Sequence, residues 1–262
     1  MWRDYFEQTY AVVDGMLICT ANYLDHGKCF SYPVGTGSLE ATVDFLKRYC
    51  ADNNTPLRFC CVPEEGVVRL TEILGQPYEK LEYRDWADYL YPYENFLGYH
   101  GKKLVTQRNH CNRFLRDNPE YEYIPIDRSL ISEAKEFMVL NSGSFKKDSE
   151  LAREEYVRAV EVLDLFSEFG FTGGLLKVNG QVIGLSVGEK LGDTLYVHIE
   201  KALQEYSGVY PFLASLYAKQ NACDDLLYIN REDDSGDPGL RHSKLEYRPC
   251  GLIGKFVVSF KA

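Results

Sequence analysis

The stretch Val178-Asn179-Gly180-Gln181-Val182-Ile183 decides how the chain divides, because Val13-Asp14-Gly15-Met16-Leu17-Ile18 repeats its pattern. In each, an Asn-Gly or Asp-Gly dipeptide sits between apolar runs, a strong short-range signal for a two-residue β-hairpin. The elements that follow recur in one order. After the first hairpin the pattern predicts a strand over 28–33, a helix over 39–50 and a strand over 57–62. After the second it predicts a strand over 194–200, a helix over 209–221 and a strand over 226–230. The tetrapeptide Leu81-Glu82-Tyr83-Arg84 also returns, as Leu245-Glu246-Tyr247-Arg248. Four matching residues can arise by chance, but one element order at similar offsets points to internal duplication.

The second half begins with helical periodicity over 128–141 and 151–169, and the first has nothing equivalent ahead of Tyr10. The expectation is that the sequence lacks a helical segment that a complete first half would need. The divisions read from the pattern are an N-terminal half over 1–98, a connecting segment over 99–126 and a C-terminal half over 127–262.

The connecting segment reverses the charge of the chain. Residues 100–116 hold five Lys/Arg, two His and no acid, against a formal net charge of -10 overall. Leu104, Cys111 and Leu115 recur at helical spacing and are expected to face a core. Asn109, Asn112, Arg113 and Arg116 fall on a separate polar stripe. A charge run alone is usually a solvated face, but Arg mixed with Asn and Gln also suits phosphate and sugar contacts. Lys102, Lys103, Arg108, Asn109 and Arg113 are the candidate RNA-binding residues.

Composition narrows the class. The 262 residues are 45% hydrophobic with 20 Tyr and 14 Phe, enough to bury an aromatic-rich core. No apolar run has transmembrane length, and the first residues lack a signal-peptide core, so a cytoplasmic location is expected. The eight cysteines show neither CxxC pairs nor finger-like spacing with His. Small buried thiols are expected, with no metal site and no disulfide framework.

Two strings are more specific. One is Arg108-Asn109-His110 followed by Asn112-Arg113-Phe114. The other runs from Asn230-Arg231-Glu232-Asp233-Asp234 through Ser235-Gly236-Asp237-Pro238-Gly239-Leu240-Arg241 to Lys244 and Pro249. With the element order, they make the chain resemble the family of the phosphatidylglycerol lysyltransferase C-terminal domain, in a stand-alone form. The resemblance implies a tandem duplicated GNAT-like acyltransferase fold, related to Fem-type peptidyltransferases: α/β, with mixed, mostly antiparallel sheets flanked by helices. Characterised members of that family move an aminoacyl group from a charged tRNA onto a lipid headgroup; for a stand-alone form the resemblance implies the transfer but not the acceptor, and a small molecule and a lipid headgroup both stay open. The start Trp2-Arg3-Asp4-Tyr5 resembles an interior point of the family's pattern.

The segment 230–244 carries the densest chemistry. Asp237 reads as an N-cap with Pro238 at the first helical position. Arg241, Lys244 and Arg248 then share roughly one helix face, where cations oppose the dipole unless a carboxylate or anion answers them. One reading is a structural ion-pair cluster. The other is a site in which Glu232 or Asp233 takes a proton from an amine, or holds one, while Arg241 and Lys244 hold phosphate or an ester oxygen. Asn230 ends the preceding strand and joins the candidates. On the strand 194–200, Tyr196, His198 and Glu200 alternate with an apolar set, and in a GNAT-like fold that face borders the central cleft. His198 is a candidate base; Tyr196 and Glu200 are candidate substrate contacts. The plain alternative is a half-exposed sheet face.

Two motif matches are set aside. Gly184-Leu185-Ser186-Val187-Gly188 fits G-x-S-x-G, but a turn and another strand follow where a nucleophile elbow needs a helix. Gly35-Thr36-Gly37 lacks a third glycine and has Glu40 nearby, unfavourable for a phosphate loop. Acyl-CoA users of the GNAT fold carry a [QR]-x-x-G-x-[GA] loop; here Ser207 and Val209 occupy its small-residue positions after Gln204. The favoured reading is an acyl transferase using aminoacyl-tRNA or another activated donor, with no cofactor required by the chemistry. An acyl-CoA-dependent N-acyltransferase is the alternative, marked by tight CoA binding. A non-catalytic nucleic-acid or partner-binding module is the third, marked by tRNA binding without turnover.

Overall fold

The structure is a computed structural model that describes residues 6–140, 142–144 and 150–261; Trp2-Arg3-Asp4-Tyr5 lies outside the described residues. The Asp14-Gly15 and Asn179-Gly180 dipeptides both adopt positive φ at both positions, 49° and 74°, then 52° and 77°. That is what a type I′ turn requires, so both hairpins form as the sequence predicts. In chain order the elements are β1 (Thr9–Val13), β2 (Met16–Asn22), β3 (Lys28–Ser31), β4 (Val34–Gly35), α1 (Leu39–Asp52), β5 (Leu57–Val62), α2 (Glu64–Leu74), β6 (Glu79–Glu82), β7 (Asp88–Pro92), α3 (Val105–Asp117) and β8 (Tyr121–Pro125). There follow α4 (Ile131–Leu140), α5 (Glu150–Asp164), β9 (Thr172–Val178), β10 (Gln181–Leu191), β11 (Thr194–Ala202), α6 (Val209–Gln220), β12 (Tyr228–Asn230), α7 (Pro238–Glu246), β13 (Gly251–Ile253) and β14 (Phe256–Phe260).

Two seven-stranded sheets form. The first has the order β1-β2-β3-β5-β14-β6, with β4 paired to β2; the second has β13-β7-β12-β11-β10-β9-β8. Both are mostly antiparallel, with β3 and β5 and also β11 and β12 paired in parallel. The fold is thus the α/β tandem arrangement expected, with one feature that periodicity does not reveal. β7, the last strand of the first half, lies between β12 and β13, while β14, the last of the second, lies between β5 and β6. The two halves exchange their final strands. One compact unit therefore spans Asp88–Leu252, and the other combines Trp2–Ala87 with Ile253–Ala262. These bounds differ from the expected divisions at 98 and 126, because a strand's position in sequence does not say which sheet it joins.

The Leu-Glu-Tyr-Arg echo has no structural counterpart. Leu81 and Glu82 lie in β6, whereas Leu245 and Glu246 lie in α7. The glycines of Gly35-Thr36-Gly37 serve packing. A Cβ on Gly35 would fall 2.3 Å from the Gly15 carbonyl oxygen, and one on Gly37 1.6 Å from that of Asp14. The loop presses its backbone onto the first hairpin turn, as only glycine allows. Ser186 lies mid-strand in β10, not at an elbow.

Each unit has its own core. Ile18, Phe30, Val43, Leu46, Phe59 and Val258 centre the first sheet's cluster. Leu163, Leu175, Leu185 and Leu213 lie within a larger cluster in the second unit, beside an aromatic one containing Tyr91, Phe96, Tyr99 and Tyr247. Of the cysteines, Cys29, Cys50 and Cys60 are buried, but Cys61, Cys223 and Cys250 are exposed. Among the described residues no helix is long and apolar enough to cross a membrane.

The basic segment corrects one expectation. It starts as a 3₁₀ turn over Lys102–Leu104 before α3 begins. Leu104 is buried and Cys111 half-buried, but Leu115 is 38% exposed, and Phe114 takes its place at 0%. Phe114 stacks on Phe212 at 4.7 Å, and Tyr121 meets Phe212 edge-on at 4.9 Å. Gln107, also buried, completes the inward stripe. Chemical denaturation should therefore separate adjacent positions. Phe114→Ala is expected to cost about 3–5 kcal/mol, and Leu115→Ala to stay within about 1 kcal/mol. Equal losses would contradict this orientation of α3.

Candidate functional site

The site is built where β11 and β12 part. Their parallel ladder pairs Thr194 with Tyr228, Leu195 with Ile229 and Tyr196 with Asn230, and no further residues. Past that point side chains span the two segments. His198 Nδ1 lies 2.8 Å from Glu232 Oε1, and its Nε2 lies 3.1 Å from Glu189 Oε1 on β10. Arg231 Nη2 donates to Glu200 Oε1 at 2.5 Å.

A bulge separates these two contacts. Across β10 and β11, Val187 pairs with Ile199 but Gly188 with Val197, so His198 is the extra residue. A bulge re-aims side chains and breaks strict alternation. The expectation that Tyr196, His198 and Glu200 line one face thus fails. Tyr196 pairs with Glu189, the carboxylate that His198 meets, whereas Glu200 pairs with Ser186. Glu200 joins Arg231, whose guanidinium lies 4.5 Å over the Tyr247 ring within the aromatic cluster. Gly188 permits the bulge, since a Cβ there would sit 1.9 Å from the Tyr196 carbonyl oxygen.

The loop 230–237 is held from within. Asn230, 1% exposed, accepts from Glu232 N at 2.7 Å and donates to Asp88 at 3.2 Å. Asp233 Oδ1 accepts from Ser235 N and Oγ at 3.0 and 2.9 Å, a local turn. Asp234, fully buried, accepts from Arg241 Nε and Nη2, at 2.9 and 2.8 Å, and from the Tyr89 hydroxyl at 2.5 Å. Lys244 Nζ, also buried, donates to the carbonyls of Arg231, Glu232 and Asp233. Asp237 caps α7 through Leu240 N at 2.8 Å, as its sequence position predicts. Arg241 and Lys244 therefore shape the loop: the first is engaged by Asp234 and the second by backbone. Of the two candidate bases, Glu232 reaches His198 and Asp233 serves the turn.

The charges follow from these contacts. Burial pulls the His198 imidazole down, but hydrogen bonds and charge from Glu232 and Glu189 outweigh it and leave its pKa above the usual value. Burial and then the Arg231 cation pull the Lys244 ammonium down to about 8, while three carbonyls receive its protons. Burial raises the Asp234 carboxyl, yet Arg241 and Tyr89 hold it well below the carboxylate range.

The basic residues are distributed over two tasks. Lys102, Lys103, Asn109 and Arg113 are exposed. Arg108 Nη1 donates to the Tyr99 and Gly101 carbonyls at 2.8 and 3.3 Å, fastening the turn before α3. Arg113 reaches Ser207 Oγ at 3.3 Å. There α3 lies against the start of α6: a Cβ on Gly208 would be 2.1 Å from the His110 carbonyl oxygen. Val209 N is already donated to Tyr206 O at 3.1 Å. Backbone of α3 thus packs closely on Gly208, and one amide of this helix start is already engaged.

Sequence reading does not single out Arg231, Asp234 or Glu189. Arg231 and Asp234 stand inside the segment of densest chemistry, so their proximity to Glu232 is visible, but which acid becomes buried is not. Glu189 depends on a bulge that leaves no sequence signature beyond Gly188.

The family profile described as phosphatidylglycerol lysyltransferase, C-terminal, matches residues 1–259. The chain belongs to that family. A conserved protein of unknown function from Bacteroides thetaiotaomicron is 29% identical with a TM-score of 0.87, over 99% of this chain and 88% of that one. L-PGS from Bacillus licheniformis, 14% identical, has a TM-score of 0.67 over 97% and 84%; at that identity the likeness is one of fold. An uncharacterized protein of Mycoplasmoides gallisepticum is 26% identical over 172 residues, 66% of this chain and 56% of that relative, so the match spans little more than half of the relative's length.

The raised His198 pKa has a testable sign. Charged His198 contributes stability in full below the ordinary histidine value of about 6.5, and that contribution is lost as pH rises through the folded-state value. NMR titration should place the His198 ring above the ordinary value. In Glu189→Gln/Glu232→Gln the midpoint should fall below it, since only burial then remains. An unchanged midpoint would show that the two carboxylates do not hold the proton.

Proposed function

We propose that the chain is a transferase moving an aminoacyl group, with aminoacyl-tRNA as donor, onto an amine or hydroxyl acceptor. The observation that carries this reading is the Glu189–His198–Glu232 relay, placed where the β11–β12 ladder ends in a member of an aminoacyl-transferase family. Glu232, with its side chain 40% exposed, can receive the proton an acceptor loses as it attacks the ester carbonyl. The new C–N or C–O bond forms as the ester C–O bond to the ribose breaks. Glu232 then passes the proton it took from the acceptor to the departing ribose oxygen, while His198, held by Glu189, keeps the carboxylate in place. The close approach of His110 to Gly208 stands against a CoA donor.

The direct test is loss of radiolabelled aminoacyl groups from a charged tRNA pool above spontaneous hydrolysis. The acceptors would be phosphatidylglycerol vesicles and soluble amines, with acetyl-CoA as the rival donor. Wild-type protein should transfer, and Glu232→Gln should lower the rate at least about a hundredfold, the usual scale for a general base. Turnover with acetyl-CoA alone would overturn the donor assignment.

RNA docking by the exposed start of the basic segment has a separate signature. Lys102→Gln/Lys103→Gln should weaken tRNA binding and lower the log–log salt slope by about 0.7–0.9 for each phosphate no longer neutralised. Thermal stability should stay nearly unchanged, because exposed charges contribute little to folding. Loss of stability with an unchanged salt slope would make these lysines structural.

A further inference from the structure

Among the described residues of the second unit, two buried polar atoms around Glu200 have no protein partner. One is Arg231 Nη1, the other Ser186 Oγ. Arg231 Nη2 is bound to Glu200, and Ser186 is Glu200's cross-strand partner, so its side chain shares that face about 5 Å away. Buried donors are almost always satisfied, and two orphans beside one carboxylate are unusual. Neither is needed for the fold in this form: alanine at 186 removes the polar atom without emptying much volume. The Arg231–Glu200 pair also reaches an edge. Its side chains are 12% and 9% exposed, at the place where β11 and the chain leaving β12 are no longer hydrogen-bonded.

The formal charges of the pair cancel. A group that enters here meets a free guanidinium N–H, a hydroxyl and the remaining capacity of a carboxylate. That set fits a carbonyl oxygen flanked by an amine better than a phosphate or a free carboxylate, whose net charge it would leave unbalanced. Arg231 also precedes Glu232 at the point where the two strands part, and it is through that parting that an acyl group held on the Glu200 face meets the relay on the other.

We propose that Arg231, Glu200 and Ser186 form the subsite that receives the aminoacyl head of the donor, Arg231 Nη1 donating to its carbonyl oxygen and Ser186 with Glu200 accepting from its amine. This rests on the aminoacyl-transfer reading above. Arg231 is then a catalytic residue in the strict sense, because the carbonyl oxygen it meets is the one that gains charge as the acceptor attacks.

The test compares Ser186→Ala and Arg231→Lys with wild type in two measurements: steady-state transfer from aminoacyl-tRNA, and calorimetric binding of a non-hydrolysable 3′-aminoacyl-amide of adenosine. Ser186→Ala should fold at least as stably as wild type, since an unpaired buried hydroxyl is removed. It should nevertheless bind the analogue about fivefold more weakly and raise KM by a similar factor, the worth of one neutral hydrogen bond. Arg231→Lys should lower kcat by about tenfold or more, because a lysine keeps the charge but not the second N–H direction. If wild type transfers and both variants match it, the subsite is wrong and the function stands. If wild type binds the analogue in a Ser186-dependent way but transfers nothing, the subsite stands and the reaction is wrong. If wild type neither transfers nor binds, both are overturned. An analogue lacking the amine that binds as tightly as the aminoacyl form would also overturn the assignment.

Discussion

The early end of the β11–β12 ladder is the constraint on which the second unit's chemistry depends. Three paired residues align two parallel strands, after which the backbone groups of 197–202 and 231–237 must find other partners. The loop after β12 does so partly through backbone bonds, Arg231 and Glu232 to Tyr89, and partly through side chains. Lys244 gathers three consecutive carbonyls, Asn230 answers the Glu232 amide, and Asp234 accepts from the Gly236 amide at 3.0 Å. Glu232 and Ser235 carry positive φ, 56° and 48°. Those conformations are costly for non-glycine residues and persist only where surroundings over-determine them. The cost is offset by the buried Asp234–Arg241 pair, which also draws in the Tyr89 hydroxyl.

This divides the conspicuous charges of 230–244 by task. The buried ones, Asp234 and Lys244, fix backbone, and breaking either pairing would leave an uncompensated buried group. The half-exposed Glu232 is left to meet His198. The two readings the sequence leaves open, ion-pair cluster and reactive site, therefore both describe parts of the same fifteen residues. One cluster exists to present the other.

What the sequence reveals depends on range. The I′ hairpin turns, the Asp237 cap and the bounds of β5 are local matters of turn chemistry and periodicity, and they stand where periodicity and turn signals put them. The helix α3 is legible but its inward face is not, because Leu115 and Phe114 both fit an apolar stripe and only the position of Phe212 decides between them. The alternation of 194–200 reads as unbroken, since a bulge is a property of a strand pair and not of one strand. Arg231 escapes notice for a similar reason. Its importance lies in Glu200, a partner 31 residues away that no spacing rule connects to it.

The exchanged strand β14 has a consequence for how the protein is made. Arg58 and Ser259, joined at 2.9 Å across β5 and β14, are 201 positions apart. The sheet of the first unit therefore cannot close when its own residues leave the ribosome. Until the last strand arrives, β5 and β6 each present an open edge, with Val62, Phe59 and Leu57 on a strand awaiting its neighbour. Such late, non-local pairing slows folding. During synthesis the part made first is the part finished last, and a chain cut short before residue 256 has a first sheet without the strand that joins β6 to it.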